Sequence, residues 1–185
     1  MWPKPKKTNN MKKTVLVFGL ISALVISGLM ILFAIFGAYS HDSLGMVLGY
    51  ASMLVALSFV FVGIKSYRDN YNGGLISFGK AFKVGLGIAL IGSTMYVLTW
   101  LVIYYFFMPD FMDQYASHMI QQAQASGAGQ AEIEKISAEM AGYKDMYKNP
   151  VFVILFTYME VLPVALLITL ISALILKRKG KQVAA

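Results

Sequence analysis

Hydrophobic positions along the chain are concentrated in four long runs that polar segments separate. The runs cover residues 14–38, 44–64, 84–107 and 151–176. A helix needs about 20 mainly apolar residues to cross the hydrocarbon core of a bilayer, and each run reaches that length. A basic start before an apolar run is also typical of a secretory signal, but the apolar part of a signal is normally only about 7–15 residues long. The pattern therefore predicts four transmembrane helices, the first of them uncleaved.

Lysine and arginine are distributed unevenly between the two sides that four spans would define. Thirteen lie in the tail 1–13, the connection 65–83 and the tail 177–185, whereas three lie in the segment 108–150 and none in the turn 39–43. Cytoplasmic segments of membrane proteins carry such an excess. We therefore predict a multi-pass protein of the bacterial cytoplasmic (inner) membrane with both termini in the cytoplasm.

The segment 108–150 has apolar residues at helical spacing on both sides of a glycine-containing interruption at residues 126–129. These residues are Phe111, Tyr115, Met119, Ile133, Ile136, Met140, Tyr143 and Tyr147. Residues three or four apart share one face of a helix, and glycine favours a turn. The expected fold is therefore all-α: a four-helix transmembrane bundle with an extracytoplasmic helical hairpin between the third and fourth spans. This hairpin either packs on itself at the membrane surface or offers its Met and Tyr side chains to a partner.

Small residues recur at intervals of about four within the predicted spans. The positions that we assign to helix packing are Gly19, Ala23, Gly45, Gly49, Gly85 and Ala89. Small side chains let helix backbones approach closely in lipid. We expect contacts between the spans at these positions, and whether any of them serves a second protomer stays open.

The composition narrows the range of functions. Hydrophobic residues make up 58% and charged residues 14% of the chain, against about 45–50% and about 25% in soluble domains. The net charge of +7 comes from Lys and Arg residues that lie mostly in the segments predicted to face the cytoplasm. The membrane topology therefore accounts for this charge, and we expect no nucleic-acid partner. The chain has no cysteine, and its histidines, His41 and His118, lie outside the apolar runs. Thiolate chemistry is thereby excluded, and we expect neither a metal site nor a cofactor.

Residues 74–81 match most of the Walker A sequence, Gly-x4-Gly-Lys-[Ser/Thr]. The phosphate-binding motif requires a preceding strand and a hydroxyl for magnesium, but Ala81 occupies the hydroxyl position and no strand pattern precedes it. We interpret the region as an inner-interface segment whose basic side chains face anionic headgroups. The basic residues assigned to this interface are Lys65, Arg68, Lys80 and Lys83.

Glu160 is the only acidic residue within the four apolar runs. A charged side chain near the bilayer centre costs about 3 kcal/mol on insertion scales, so we expect a neutral, buried acid. Pro163 has no N–H, which deprives the Met159 carbonyl of its helical partner and predicts a kink. Polar residues at a similar depth in the other spans are Ser27, Ser52, Tyr96 and Thr99, without a cation among them. Glu160 is then either hydrogen-bonded for structural reasons, to such a neighbour or to the carbonyl that Pro163 frees, or part of a proton- or cation-responsive site.

Several stretches resemble a bacterial membrane family, domain of unknown function 4199 (DUF4199). They have the sequences VGIKSYRD, ISFGKAF, PDFM, EVLP and LISALILK and begin at residues 62, 76, 109, 160 and 170. The resemblance extends from about Met11 over nearly the whole chain. It implies a small four-helix inner-membrane protein with an outer helical insertion, and it implies no activity.

The favoured function is a non-enzymatic membrane scaffold or regulatory subunit that acts through its helix faces and the outer hairpin. Its expected partners are the lipid bilayer and either another membrane protein or further copies of itself. The alternative is an oligomeric transporter or channel subunit with Glu160 as its proton-coupling acid. A membrane enzyme is disfavoured, because the spans contain no His, Cys or paired carboxylates.

Overall fold

The computed structural model describes residues 7–36 and 43–178, and these residues form six α-helices without a β-strand. The helices are α1 (Lys7–Ile35), α2 (Ser43–Tyr71), α3 (Phe78–Val102), α4 (Phe111–Ala125), α5 (Gln130–Tyr147) and α6 (Pro150–Leu176). A π-helical segment, Ile103–Phe107, continues α3. The predicted turn 39–43 falls almost wholly outside the described residues, as do the outer parts of both predicted tails.

Four helices are long and apolar enough to cross a membrane, which confirms the sequence prediction at this level. Their apolar parts are Asn10–Ile35, Val47–Tyr71, Phe78–Phe107 and Pro150–Leu176. Asn149 caps the last of them, because its side chain accepts a hydrogen bond from the Val151 N–H at 3.0 Å. This bond satisfies one of the amide groups that the first turn of a helix leaves without a partner.

At the end of the molecule that carries the basic residues, α1 and α2 are longer than the apolar runs that predicted them. α1 begins at Lys7 rather than Thr14, and α2 continues through Tyr71. Lysine and arginine are good helix formers, so a helix does not need to stop where its apolar part stops. The connection between α2 and α3 is consequently short. Gly73 and Gly74, with φ of 65° and 74°, supply its left-handed turn.

α3 contacts all three of the other long helices, while α1 contacts α2, and α2 also contacts α6. Successive contacts show that α1 and α3 run in the same direction: Gly19 lies against Ile91, and Ser27 is hydrogen-bonded to Thr99. The shared core is formed mainly by apolar side chains with little or no exposure. Examples are Val60, Ile64, Val84, Ile88, Val153 and Ala173.

α4 and α5 pack against each other, and α5 also contacts α6. The apolar stripe that the sequence revealed lies mostly on the inner side of this pair, where Met140 is buried and Phe111, Tyr115 and Tyr147 pack against the main core. Tyr143 is the member of the stripe that stays exposed. The stripe therefore contributes chiefly to packing within the chain.

Candidate functional site

Two side-chain hydrogen bonds join α3 to α6 near the middle of both helices. The Tyr96 hydroxyl donates to Oε1 of Glu160 at 3.3 Å. Thr94 Oγ1 and the Tyr158 hydroxyl are 2.9 Å apart. Residues two apart on a helix point to nearly opposite sides, so the two bonds flank the line along which α3 and α6 touch.

Glu160 lies beside the buried face of α6 and not within it. Val153, Thr157 and Val161 belong to that buried face, whereas the Glu160 side chain is exposed at the protein surface. The sequence led us to expect a buried acid. In the structure Glu160 is rotated away from the face that packs on the other long helices, and its burial in the bilayer stays a prediction. The carboxyl group instead faces whatever surrounds the helices.

Of the four polar neighbours that were expected around Glu160, Tyr96 is the one that bonds to it. Ser27 and Thr99 bond to each other at 2.7 Å and link α1 to α3. Ser52 is buried and bonds to the Gly49 carbonyl of its own helix at 2.7 Å. The hydrogen bonds described for Ser27, Ser52 and Thr99 therefore lead to groups other than Glu160.

Pro163 lies inside α6, which continues as a helix from Pro150 to Leu176. The proline ring is exposed on the same outer part of the molecule as the Glu160 side chain. The nearby threonine hydroxyls are bonded within α6 itself, Thr157 to Val153 and Thr169 to Ala165, each at 2.7 Å. Tyr96 of α3 is therefore the described partner of Glu160.

The predicted packing residues behave unequally. A Cβ atom added at Gly19 would lie 2.9 Å from Ile91 Cβ, and one added at Gly85 would lie 2.8 Å from Ile64 Cδ1. Ala23 and Ala89 are buried. In contrast, Gly45 is half-buried, and a Cβ atom at Gly49 would meet nothing within 4 Å.

Sequence reasoning missed other close-packed glycines and several polar contacts. An added Cβ would touch Ile88 and Phe18 from Gly63, and Val15 from Gly87. Glycines inside the apolar runs were visible in the sequence, but their spacing did not distinguish those in contact with another helix from those facing outward. The same holds for Thr94 and Tyr158, which are ordinary polar residues within apolar runs.

The predicted inner-interface residues cluster around the α2–α3 connection. Lys80 Nζ donates to Asn72 Oδ1 at 2.8 Å and lies 5.2 Å from the centre of the Tyr67 ring. Arg68 pairs with Asp69 at 2.6 Å and reaches the Leu176 carbonyl at 3.4 Å, while Lys65 and Lys83 are exposed. The Walker-like stretch follows a helix, α2, and its lysine is engaged by Asn72, so its local structure differs from that of a phosphate-binding loop.

Within residues 7–36 and 43–178, no group of three or more His, Asp or Glu side chains is arranged to hold a metal ion. In the comparison with protein families, the model described as "Protein of unknown function (DUF4199)" matches residues 17–178. Comparison with curated proteins and with solved structures gives no match.

Proposed function

Since the chain belongs to the DUF4199 family, whose function is unknown, we propose its role from its own geometry: a non-enzymatic scaffold or regulatory subunit of the bacterial inner membrane. In this proposal the four long helices form a transmembrane bundle and the α4–α5 pair lies outside the cytoplasm. The subunit binds a membrane-spanning helix of a partner protein through the face of α6 that carries Glu160. The exposed carboxyl group beside Tyr96 is the observation that carries the proposal.

The clustering of basic residues supports the proposed orientation. Arg68 at the end of α2 contacts the end of α6, and Ile76 and Arg178 exchange backbone hydrogen bonds of 3.0 and 2.8 Å. Lys80 and Lys83 lie in the first turns of α3, close to this bridge. The basic residues of three helices therefore meet at one end of the molecule, which is the end that the excess of Lys and Arg assigns to the cytoplasm.

The environment of Glu160 supports binding of a partner helix. Glu160 is about 15 Å along the helix axis from Pro150 at 1.5 Å per residue, so it lies near mid-membrane if α6 spans the bilayer. The ion pairs of the described residues involve other carboxylates, those of Asp69, Glu139, Asp113 and Asp145. Contact between Glu160 and lipid tails would be costly. A partner helix that offers a hydrogen-bond donor at this depth would remove that cost.

Photo-crosslinking in intact membranes tests the proposed face directly. Leu167 lies seven residues after Glu160, hence on the same side of α6, and its side chain is 56% exposed. Leu155 is similarly exposed, at 51%, but points to another side. We expect a photoreactive amino acid at position 167 to crosslink one partner protein in stoichiometric yield, and one at position 155 to crosslink lipid. Equal protein crosslinking from both positions, or crosslinking to lipid alone, would contradict the proposal.

The alternative function is an oligomeric transporter or channel subunit in which Glu160 exchanges protons with the substrate pathway. The hydrogen bond from Tyr96 favours this alternative, since a tyrosine hydroxyl can donate to the carboxylate. The transporter alternative explains the position of the carboxyl group on the outer surface of one chain only if further copies of the chain cover that surface.

Two substitutions separate these functions. Glutamine at position 160 keeps the polarity and the hydrogen-bonding capacity but cannot release a proton, whereas leucine removes all three. A scaffold that uses the Glu160 face should keep its partner in Glu160→Gln and lose it in Glu160→Leu, as measured by copurification in mild detergent. A transporter should lose proton-coupled flux in proteoliposomes in both variants, and measurable flux in the wild type that is abolished by Glu160→Gln would favour the alternative.

A further inference from the structure

A small, partly open cavity lies between the four long helices, each of which contributes side chains to its wall. Its lining residues are Ser22, Ile26, Met53, Ala56, Leu57, Gly92, Ser93, Tyr96 and Val161. All of them are buried except Tyr96, which is half-buried. The cavity has a volume of about 10 Å³. That volume suits one water molecule and excludes larger ligands.

Ser93 supplies an unsatisfied polar group in this wall. Its side chain is fully buried, and its Oγ has no hydrogen-bond partner among the described residues. Buried hydroxyl groups in folded proteins are nearly always hydrogen-bonded, to protein or to an ordered water molecule. A hydroxyl in an apolar core without such a partner reduces stability. Ser93 therefore requires a partner that the surrounding side chains do not provide.

Ser22 provides a second polar group in the same wall. Its hydroxyl donates to the Ala56 carbonyl at 2.8 Å and so links α1 to α2. A serine oxygen that donates its proton keeps lone pairs with which it can accept a hydrogen bond. The space beside Ser22 depends on Gly92, because a Cβ atom there would lie 2.8 Å from Ser22 Oγ.

We infer that one water molecule is bound in this cavity, where it accepts a hydrogen bond from Ser93 Oγ and donates one to Ser22 Oγ. The water connects α3 to α1 and, through the Ser22–Ala56 bond, to α2. It lies on the core side of Tyr96, whose hydroxyl reaches Glu160 on the outer side. This site is independent of the proposed partner helix, since its lining residues belong to one chain.

Solid-state NMR of the full chain in lipid bilayers tests for the water itself. Magnetisation transferred from water protons should reach the amide groups of Gly92 and Ser93 as rapidly as those of exposed residues in α4, although both are buried. In Gly92→Ala the added methyl group occupies the space, and the rapid transfer to Ser93 should be lost. Slow transfer to Gly92 and Ser93 in the wild-type protein would overturn the inference.

Thermal unfolding gives a second measurement that does not depend on Gly92→Ala folding well. If Ser93 binds the water, Ser93→Ala leaves that water with one partner fewer, and the unfolding midpoint should fall by a few degrees. Ser52→Ala is the matched control, because Ser52 is also buried but bonds within its own helix, and we expect a smaller change. If the cavity is dry, Ser93→Ala removes an unsatisfied hydroxyl. An unchanged or raised midpoint would accordingly contradict the bound water.

Discussion

Glycine residues determine how closely α1 and α3 approach each other. Gly19 of α1 faces Ile91, whereas Gly87 and Gly92 of α3 face Val15 and Ser22. The contacts thus alternate between the two helices, with each glycine receiving a side chain from the other. In a bilayer, apolar side chains gain little free energy by moving from lipid to another helix, because lipid tails are also apolar. Close packing is therefore a main source of helix association there.

Gly19→Ala should therefore destabilise the protein, and Gly49→Ala should not. The new methyl group at position 19 would lie 2.7 Å from Ile91 Cδ1 and 2.9 Å from Ile91 Cβ, and overpacking of this kind costs about 1–3 kcal/mol. A Cβ atom at position 49 would meet no other atom within 4 Å. The expected effect of alanine there is therefore its higher helix propensity than that of glycine. Thermal unfolding in detergent should show a lower midpoint for Gly19→Ala and an equal or higher one for Gly49→Ala. Equal midpoints in both variants would mean that α1 and α3 do not pack as described.

A lipid-soluble carbodiimide modifies carboxyl groups in apolar surroundings. Because Glu160 lies on the outer face of α6, its carboxyl group should react with this reagent. We expect modification of Glu160 in liposomes of the purified protein, where no partner helix covers this face, measured by intact mass, and none in Glu160→Gln. Tyr96→Phe removes a hydrogen bond worth about 1 kcal/mol, which corresponds to about a fivefold faster reaction. Tyr158→Phe is the control, because Tyr158 bonds to Thr94 on the other side of the contact. If Glu160 did not react in any of the proteins that contain it, its carboxyl group would lie inside the protein, which would contradict the described position.

The sequence allows the depth of a residue in a helix to be predicted, but not the direction in which its side chain points. Counting along the apolar runs placed Ser27, Ser52, Tyr96 and Thr99 near the level of Glu160. Depth depends only on the rise per residue, which is the same in every helix. Which of them meets Glu160 depends on the rotation of each helix about its axis, and that rotation is set by packing among all four helices. For this reason the sequence identified Tyr96 as one of several neighbours, and it identified neither the Ser27–Thr99 pair nor the cavity beside Ser93.

At the scale of elements, aromatic residues attach the α4–α5 pair to the long helices. Trp100 contacts Phe111 edge to face with ring centres 4.9 Å apart, and Tyr104 contacts Tyr147 in the same way at 5.5 Å. Tyr147 also stacks on Phe156 of α6 at 5.8 Å. Edge-to-face and stacked pairs add to the free energy gained from burial. Tyr147 therefore joins the end of α5 to the π-helical segment that continues α3 and to α6.

The attachment of α5 should weaken at high pH. Burial raises the pKa of Tyr147 from 10.0 to about 12, so between these values the folded protein keeps a proton that the unfolded chain loses. Stability then falls as the pH rises through this window, because the unfolded state binds fewer protons than the folded state. The unfolding midpoint should decrease from pH 10 to pH 12 in the wild type, and less steeply in Tyr147→Phe. Identical slopes in the wild type and in Tyr147→Phe would contradict burial of Tyr147.

At the scale of the whole molecule, the long helices expose large apolar side chains over much of their outer surface. Leu24 of α1 is 74% exposed, Met159 of α6 is 70% exposed and Phe106 after α3 is 79% exposed. Soluble proteins rarely expose continuous apolar surfaces of this extent. The α4–α5 pair differs, since most of its outward-facing residues are polar or charged. The molecule thus has an apolar part of spanning length and a polar part at one end.

The orientation of these two parts can be measured with single cysteines, because the natural chain contains none. Ser77, before α3, and Ala131, in α5, are both exposed and lie near opposite ends of the molecule. The excess of Lys and Arg around Ser77 predicts that it faces the cytoplasm. A membrane-impermeant thiol reagent should therefore label Ala131→Cys in intact spheroplasts, and Ser77→Cys only after the membrane is disrupted. The reverse pattern would invert the proposed topology, and labelling of both before disruption would mean that the long helices do not separate the two sites across a bilayer.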